Sequence, residues 1–445
     1  MKYLRYLLLV VVLVISLPVL SQKHTIRVNP DRTVRFTLYA PLAKQVKVVG
    51  TMFPLENAIK TPAGTFGKEG KKDMFHESTG VWTFTTDQLK SDYYLYNFIV
   101  DGVTITPSLA EPHAVRDISH NYYWFIVPGG DGDAYQEQPV AHGRLEKVWY
   151  PSSVNGMTQR RMTVYTPPAY SLNDGKRYPV LYLLHGSGGD ENSWTDCGRA
   201  MQILDYCIAT GRCAPMIVVM PNGNATLAAA PGEDPDHPDV TPASNNSSSM
   251  FGKIEKAFVP EVVNFVDQHY STISEKRGRA IAGLSLGGLH TLFTSLNNPD
   301  TFDYIGLFSA QITNGLSDTS IGKLAVRWLG HVGRRWNAFV EKLPDPIENR
   351  VGKTVDNLTG GGTIIEELSM YEEFDEKLQR QLEALPALYY IAVGRDDFTY
   401  KLNERLLYKI ASFDYPYVYN ETDGGHTWDN WRRYLLDFLP RLFNY

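Results

Sequence analysis

Two different hydropathy periods divide the chain. From Thr25 to Val127 apolar positions recur every second residue: "RTVRFTLYAP" sets Val34, Phe36 and Leu38 on one face. "KQVKVVG", "VWTFTT", "DYYLYNFIVDG" and "NYYWFIV" follow, separated by glycine, proline and charged turns. Five or six short strands with no helical pattern between them predict a small antiparallel, immunoglobulin-like β-sandwich over 22–128. The stretch "VPGGDGDAYQEQPVAHG" carries neither period, and residues 129–142 are expected to be a linker.

Beyond it, short and strongly apolar runs alternate with amphipathic stretches. The runs are "YPVLYLLHG", "PMIVVMPNG", "RGRAIAGLS", "FDYIGLFSA", "ALYYIAVG" and "YPYVYNETDGG", and Gly252 to Tyr270 reads as a helix. Buried strands alternating with helices predict a mostly parallel sheet covered on both faces, an α/β domain over 143–445. Residues 315–385 exceed what one crossover requires. They carry Trp328, Trp336 and a helical "MYEEFDEKLQRQLEAL", and read as an insertion that either caps a site or adds scaffold.

The first 21 residues contain Lys2 and Arg5, then an apolar run, then Val19-Leu20-Ser21, which predicts a cleaved export signal. A retained membrane anchor is the alternative, and the run is near the short limit for one. Removing that segment shifts the net charge from -6 to -8. An acidic balance excludes nucleic acid as the expected partner, and no membrane contact is expected after signal removal. The mature chain is expected in the periplasm or outside the cell. Of the three cysteines, Cys197 and Cys207 are ten residues apart on one predicted helix, too far to bridge. Cys207 with Cys213 is the local pair left open.

In an open parallel sheet, reactive groups collect beyond the carboxyl ends of the strands. "AIAGLSLGGLHTLF" places Ser285 between Gly283 and Gly287 where a strand gives way to a helix, the context of a nucleophile elbow. A serine hydroxyl needs a base, and "ETDGGHTWDNWRRYL" puts His426 on a glycine-rich loop after the final strand. The base needs a carboxylate to fix its tautomer, and "VGRDDF" offers Asp396 or Asp397, between which spacing does not choose. The chain order is then Ser, Asp, His, as in α/β-hydrolases. "LLHGSGGDENSW" supplies a glycine-rich loop, so the backbone N–H groups of Ser187 and Leu286 are the expected oxyanion donors. Substrate-contact candidates are His185, Trp194, Trp428 and Trp431, the three indoles as walls for a flat acyl group or as packed core. His290 reads as a packed or solvated helix residue, and "DPDHPD" at 234–239 as a solvated loop rather than a metal site. No metal or cofactor is required by this chemistry.

Taken together, "LLHGSGGDENSW", "MIVVMPNG", "AGLSLGG", "VGRDDF" and "GGHTWDNWR" resemble carbohydrate esterase family 1, the feruloyl and acetyl-xylan esterases, related to enterochelin esterases and mycolyltransferases. The resemblance covers about 143–445 and implies an α/β-hydrolase fold. The acid is fourth in that family's G-x-x-D segment, which points to Asp397, with Ser285 as nucleophile, His426 as base and Ser187 as an oxyanion donor. It implies two-step transfer of a ferulate, another hydroxycinnamate or an acetyl group from xylan or arabinoxylan oligosaccharides. "GVWTFTT" and "DYYLYNFIVDGV" are similar to early-set, family-48-type carbohydrate-binding modules. That similarity implies glycan contact through aromatics such as Trp82 or Trp124, against which stands the reading of both as core or interdomain residues. The competing expectations are a siderophore esterase of the enterochelin type and a glycan-binding protein with an inactive hydrolase domain.

Overall fold

The computed structural model describes residues 24–61, 64–77, 80–172, 174–235, 252–312 and 369–444. The expected export signal lies outside these residues, as do most of the 315–385 insertion, with Trp328 and Trp336, and most of "DPDHPD". Asp234, the first residue of that run, accepts the Ala228 N–H at 2.9 Å. Among the described residues no helix is long and apolar enough to cross a membrane.

Residues 24–127 form antiparallel sheets. One has four strands, in the order His24–Val28, Val34–Tyr39, Val81–Thr85, Phe75–His76. The facing sheet runs Ala114–Asp117, His120–Val127, Asp92–Val100, Val46–Gly50, Lys71–Asp73, with Val103–Ile105 paired to Asp92–Val100. A separate hairpin joins Glu56–Thr61 to Gly64–Lys68. The period-two positions do what the pattern predicts. Val34, Phe36, Leu38, Val46, Val48, Phe98 and Phe125 meet between the two sheets, each nearly or wholly closed to solvent. Trp82 belongs to this core and donates its Nε1–H to the Ala40 carbonyl at 3.0 Å. Trp124 stacks on Tyr93 and lies beneath the Arg199 guanidinium. Both aromatics proposed for glycan contact are therefore used in the core or between domains.

The second domain is built on an eight-stranded sheet. Its order is Arg144–Pro151, Gln159–Thr166, Ile217–Pro221, Val180–Leu184, Arg279–Leu284, Tyr304–Phe308, Leu388–Gly394, Val418–Thr422. The last six are parallel to one another, and each corresponds to an apolar run in the sequence. The first two pair antiparallel and are absent from the sequence-based expectation. Their letters hide them: Arg160 and Arg161 are buried in the second, Arg161 paired with Glu191, so burial there does not read as hydrophobicity. The predicted helix from Gly252 is interrupted by a π-turn at Phe258–Val263 that contains Pro260, which has no N–H to donate. The insertion's helical segment forms a helix over Phe374–Glu383.

The two domains are fastened by charge. Arg432, on the last helix (Trp428–Phe438), is buried and donates to Asp92, to the Tyr93 carbonyl and to the Cys197 carbonyl; Arg433 also reaches Asp92. The expected linker carries a helical turn, Asp131–Tyr135, whose Tyr135 is wholly buried against Arg432. Cys197, Cys207 and Cys213 are free, buried thiols.

Candidate active site

Four loops converge at the carboxyl ends of the parallel strands. The strand Arg279–Leu284 ends at Ser285, whose φ of 54° and ψ of −116° turn the chain sharply into the helix Leu286–Asn297. This turn explains both glycines. A Cβ at Gly283 would lie 2.3 Å from the Gly287 carbonyl oxygen, and one at Gly287 would lie 2.5 Å from the carbonyl oxygens of Leu184 and His185. Larger residues would push the helix off the strand and the nucleophile loop off the neighbouring loop. Backbone bonds from Ser285 N–H to the Phe308 carbonyl and from Gln311 N–H to the Ser285 carbonyl hold the strained residue in place.

His426, on the loop after Val418–Thr422, has its Nε2 2.8 Å from Ser285 Oγ and its Nδ1 3.0 Å from both carboxylate oxygens of Asp397. Since the carboxylate accepts only, Nδ1 carries the proton and Nε2 accepts from the serine hydroxyl. Asp397 is buried, and its Oδ1 accepts the Thr399 N–H and hydroxyl, both at 2.8 Å. Burial pushes this carboxyl up, but His426, the Thr399 N–H and the Ser309 hydroxyl outweigh it and leave it below the ordinary carboxylate value. Asp396 faces elsewhere: its carbonyl accepts the Thr65 N–H at 3.1 Å and its carboxylate the Thr65 hydroxyl at 3.2 Å.

The glycine-rich loop after Val180–Leu184 lies against the serine. A Cβ on Gly186 would sit 3.1 Å from Ser285 Cβ, so the Gly186–Ser187 peptide borders the nucleophile. Leu286 opens the elbow helix, where the first N–H groups have no intrahelical acceptor. Of the two residues expected to donate, one is thus on the glycine-rich loop and the other at the start of the elbow helix.

The substrate-contact candidates separate. His185 is corrected: it is 4% exposed, its Nδ1 is 2.8 Å from the Gly186 carbonyl, and its Nε2 accepts the Gly223 N–H at 2.7 Å. Both nitrogens are consumed in bracing the glycine loop, and burial lowers its pKa to about 4, so the ring stays neutral. Trp194 is corrected too: it is 1% exposed and donates to the Leu184 carbonyl, so it packs beneath the loop. Trp431 is buried edge-on to His426, with ring centroids 4.9 Å apart, and backs the base. Trp428 is half-buried and retains accessible surface beside the site. His290 is wholly buried, its Nδ1 2.8 Å from Glu255.

Several site neighbours were missed from the sequence. Thr399 has a weak local signal, a hydroxyl residue two positions after an aspartate. Phe398, whose ring lies 4.2 Å from that of His426, had none. Nor did Thr65, Arg116, Asp117 and Ile118 of the first domain, because hydropathy periods do not encode contacts between residues far apart in the chain.

Residues 155–381 match the putative esterase family. Among curated proteins, the chain is 31% identical over 302 residues to an endo-1,4-beta-xylanase/feruloyl esterase of Xylanibacter ruminicola. That match takes in 63% of the chain but only 35% of the relative's length. It is 26% identical over 267 residues to an acetyl esterase of Caldicellulosiruptor saccharolyticus, 59% of this chain and 83% of that one. Among solved structures, the enterobactin esterase of Shigella flexneri superposes with a TM-score of 0.52 at 15% identity, over 95% of this chain and 96% of that one. This likeness is one of fold, and it includes the all-β first domain. With just over half of its length matched, and with the serine, histidine and carboxylate in hydrogen-bonded series at the strand ends, the chain belongs to the putative esterase family.

Proposed function

We propose that this chain is an exported serine esterase that removes acyl groups, foremost ferulate or another hydroxycinnamate, from xylan or its oligosaccharides. The observation that carries the reading is the series Ser285–His426–Asp397 beside a glycine-rich loop. Ser285 Oγ attacks the ester carbonyl carbon while its proton passes to His426 Nε2. The carbonyl π pair moves onto oxygen, which faces the backbone N–H groups of Ser187 and Leu286. Collapse breaks the bond to the sugar oxygen, which leaves with the proton from His426. Water, deprotonated by the same nitrogen, then attacks the acyl-enzyme, and collapse releases the acid and the Ser285 hydroxyl. Asp397 stays ionised throughout, orienting the ring and stabilising its charged form. Removing one oxyanion donor from such a site costs about 3–4 kcal/mol of barrier.

The names of the xylanase-linked and acetyl esterase relatives support xylan-borne esters as substrates, with acetyl the second acyl group to test. The test is initial-rate hydrolysis of methyl ferulate, acetylated xylo-oligosaccharide and enterochelin by the full chain and by Ser285→Ala. Loss of all hydrolysis in the variant, with the fold retained, is expected. Unchanged hydrolysis would reassign the nucleophile, and activity confined to enterochelin would replace the xylan reading with the siderophore one.

A further inference from the structure

The first domain reaches the active site through a two-residue turn. Its strands Ala114–Asp117 and His120–Val127 pair with Asp117 opposite His120, leaving Ile118 and Ser119 as the turn. A turn of this length favours glycine or asparagine wherever φ is positive. Ile118 instead adopts a φ of 53°, and a β-branched residue there is a backbone outlier. The turn is nonetheless held firmly on both sides. Arg116 donates to the Ile118 carbonyl at 2.8 Å and to Asp190, which follows the glycine-rich loop. Asp117 accepts the indole N–H of Trp428, two residues beyond His426, at 3.1 Å. Ile118 stands between these two attachments. Its side chain packs on Gly188, where an added Cβ would come within 2.9 Å of Ile118 Cγ2. Yet the residue remains 41% exposed.

An apolar, exposed side chain has thus been placed at a position where its own backbone geometry favours glycine, next to the loop that supplies an oxyanion donor. We infer that Ile118 is a substrate-contact residue, a lip contributed by the β-sandwich that packs against the alcohol portion of the ester, the sugar of a glycan substrate. The alcohol side follows from the chemistry. His426 must deliver a proton to the leaving oxygen, so the leaving group lies on the His426 side, where Asp117 secures Trp428 immediately before Ile118. A sugar ring presents apolar C–H faces suited to Ile118 and to the accessible surface of Trp428. The inference rests on the proposed esterase function and adds which part of the molecule reads the alcohol.

The experiment compares esters that share an acyl group and differ in the alcohol: methyl ferulate against a feruloylated arabino-oligosaccharide, and methyl acetate against acetylated xylo-oligosaccharide. For the full chain and for Ile118→Gly, Ile118→Asn and Ile118→Val, the readout is the ratio of kcat/KM on the sugar ester to that on the methyl ester. Glycine and asparagine both tolerate positive φ, so these variants remove the apolar contact without adding backbone strain. The ratio is expected to fall about tenfold in Ile118→Gly and Ile118→Asn, the order expected when an apolar surface of this size is no longer covered, and to hold in Ile118→Val. A ratio unchanged in the glycine and asparagine variants, whether both rates persist or fall together, overturns the inference and makes Ile118 a packing residue. If the unsubstituted chain is inert on all four esters, the esterase reading falls as well, which separates the two failures.

Discussion

Replacing Asp397 by asparagine exchanges one carboxylate oxygen for an NH2 group and is expected to reverse the polarity of the catalytic relay. Asp397 Oδ1 accepts the Thr399 backbone N–H at 2.8 Å, a donor fixed by the chain. The asparagine carbonyl oxygen must take that place, since presenting the NH2 to it would leave a buried N–H unpaired, at about 1–3 kcal/mol. The NH2 then occupies the Oδ2 position, 3.0 Å from His426 Nδ1, and donates to it. With Nδ1 forced to accept, the ring proton moves to Nε2, which faces Ser285 Oγ at 2.8 Å and can no longer take its proton. A triad aspartate replaced in this way loses roughly 10⁴ in kcat, equivalent to about 5.5 kcal/mol of barrier. Asp396→Asn retains both the backbone carbonyl and a side-chain oxygen for Thr65, and should lose less than about tenfold, a barrier change under about 1.4 kcal/mol. Saturating initial rates at neutral pH, with circular dichroism to confirm the fold, decide the matter. An Asp397→Asn variant keeping more than about a tenth of the rate, or an Asp396→Asn variant that is worse, would refute the assignment.

Other expectations follow from the same geometry. His185 is buried with a pKa of about 4 against an ordinary value near 6.5, so between these values the unfolded chain binds a proton that the folded chain does not. Its contribution to stability is therefore fully present above about pH 6.5 and declines as pH falls toward 4, by roughly 2–3 kcal/mol at pH 4.5. Urea unfolding of the unsubstituted chain and His185→Gln should show their stability difference shrinking between pH 7 and 4.5; a pH-independent difference would contradict the neutral buried ring. Arg432→Met should lower unfolding stability by about 3–5 kcal/mol, because it leaves the buried Asp92 facing Arg433 alone. An urea midpoint unchanged by that substitution would mean the interdomain ion pair contributes little. Trp194→Ala should act on stability rather than specificity, costing about 3–5 kcal/mol as a core deletion. A changed acyl preference with unchanged stability would return Trp194 to the pocket wall.

What the sequence determined was whatever short-range pattern encodes. Alternation at Val34, Phe36 and Leu38 announced a sheet with one buried face, and the six apolar runs announced the parallel strands, because side-chain direction follows backbone period. The glycines at 283 and 287 marked the elbow, since only a residue without a Cβ fits where the Gly287 and Leu184 carbonyl groups crowd the chain. Their place after strand ends marked Ser285 and His426 as candidates, and the fold sets their side chains 2.8 Å apart.

The tertiary structure decided what depends on partners distant in the chain. The strand Gln159–Thr166 was unreadable because Arg160 and Arg161 are buried against carbonyls and Glu191, contacts that turn a polar letter into an interior residue. His185 and Trp194 looked like substrate contacts from their place in the motif, and only the bonds to Gly223 and Leu184 show that they are spent on the scaffold. Ile118 carried no signal at all. It acquires one from a positive φ and from Gly188, seventy positions away in the chain, because a turn's dihedral angles and its neighbours in space are properties of the folded molecule.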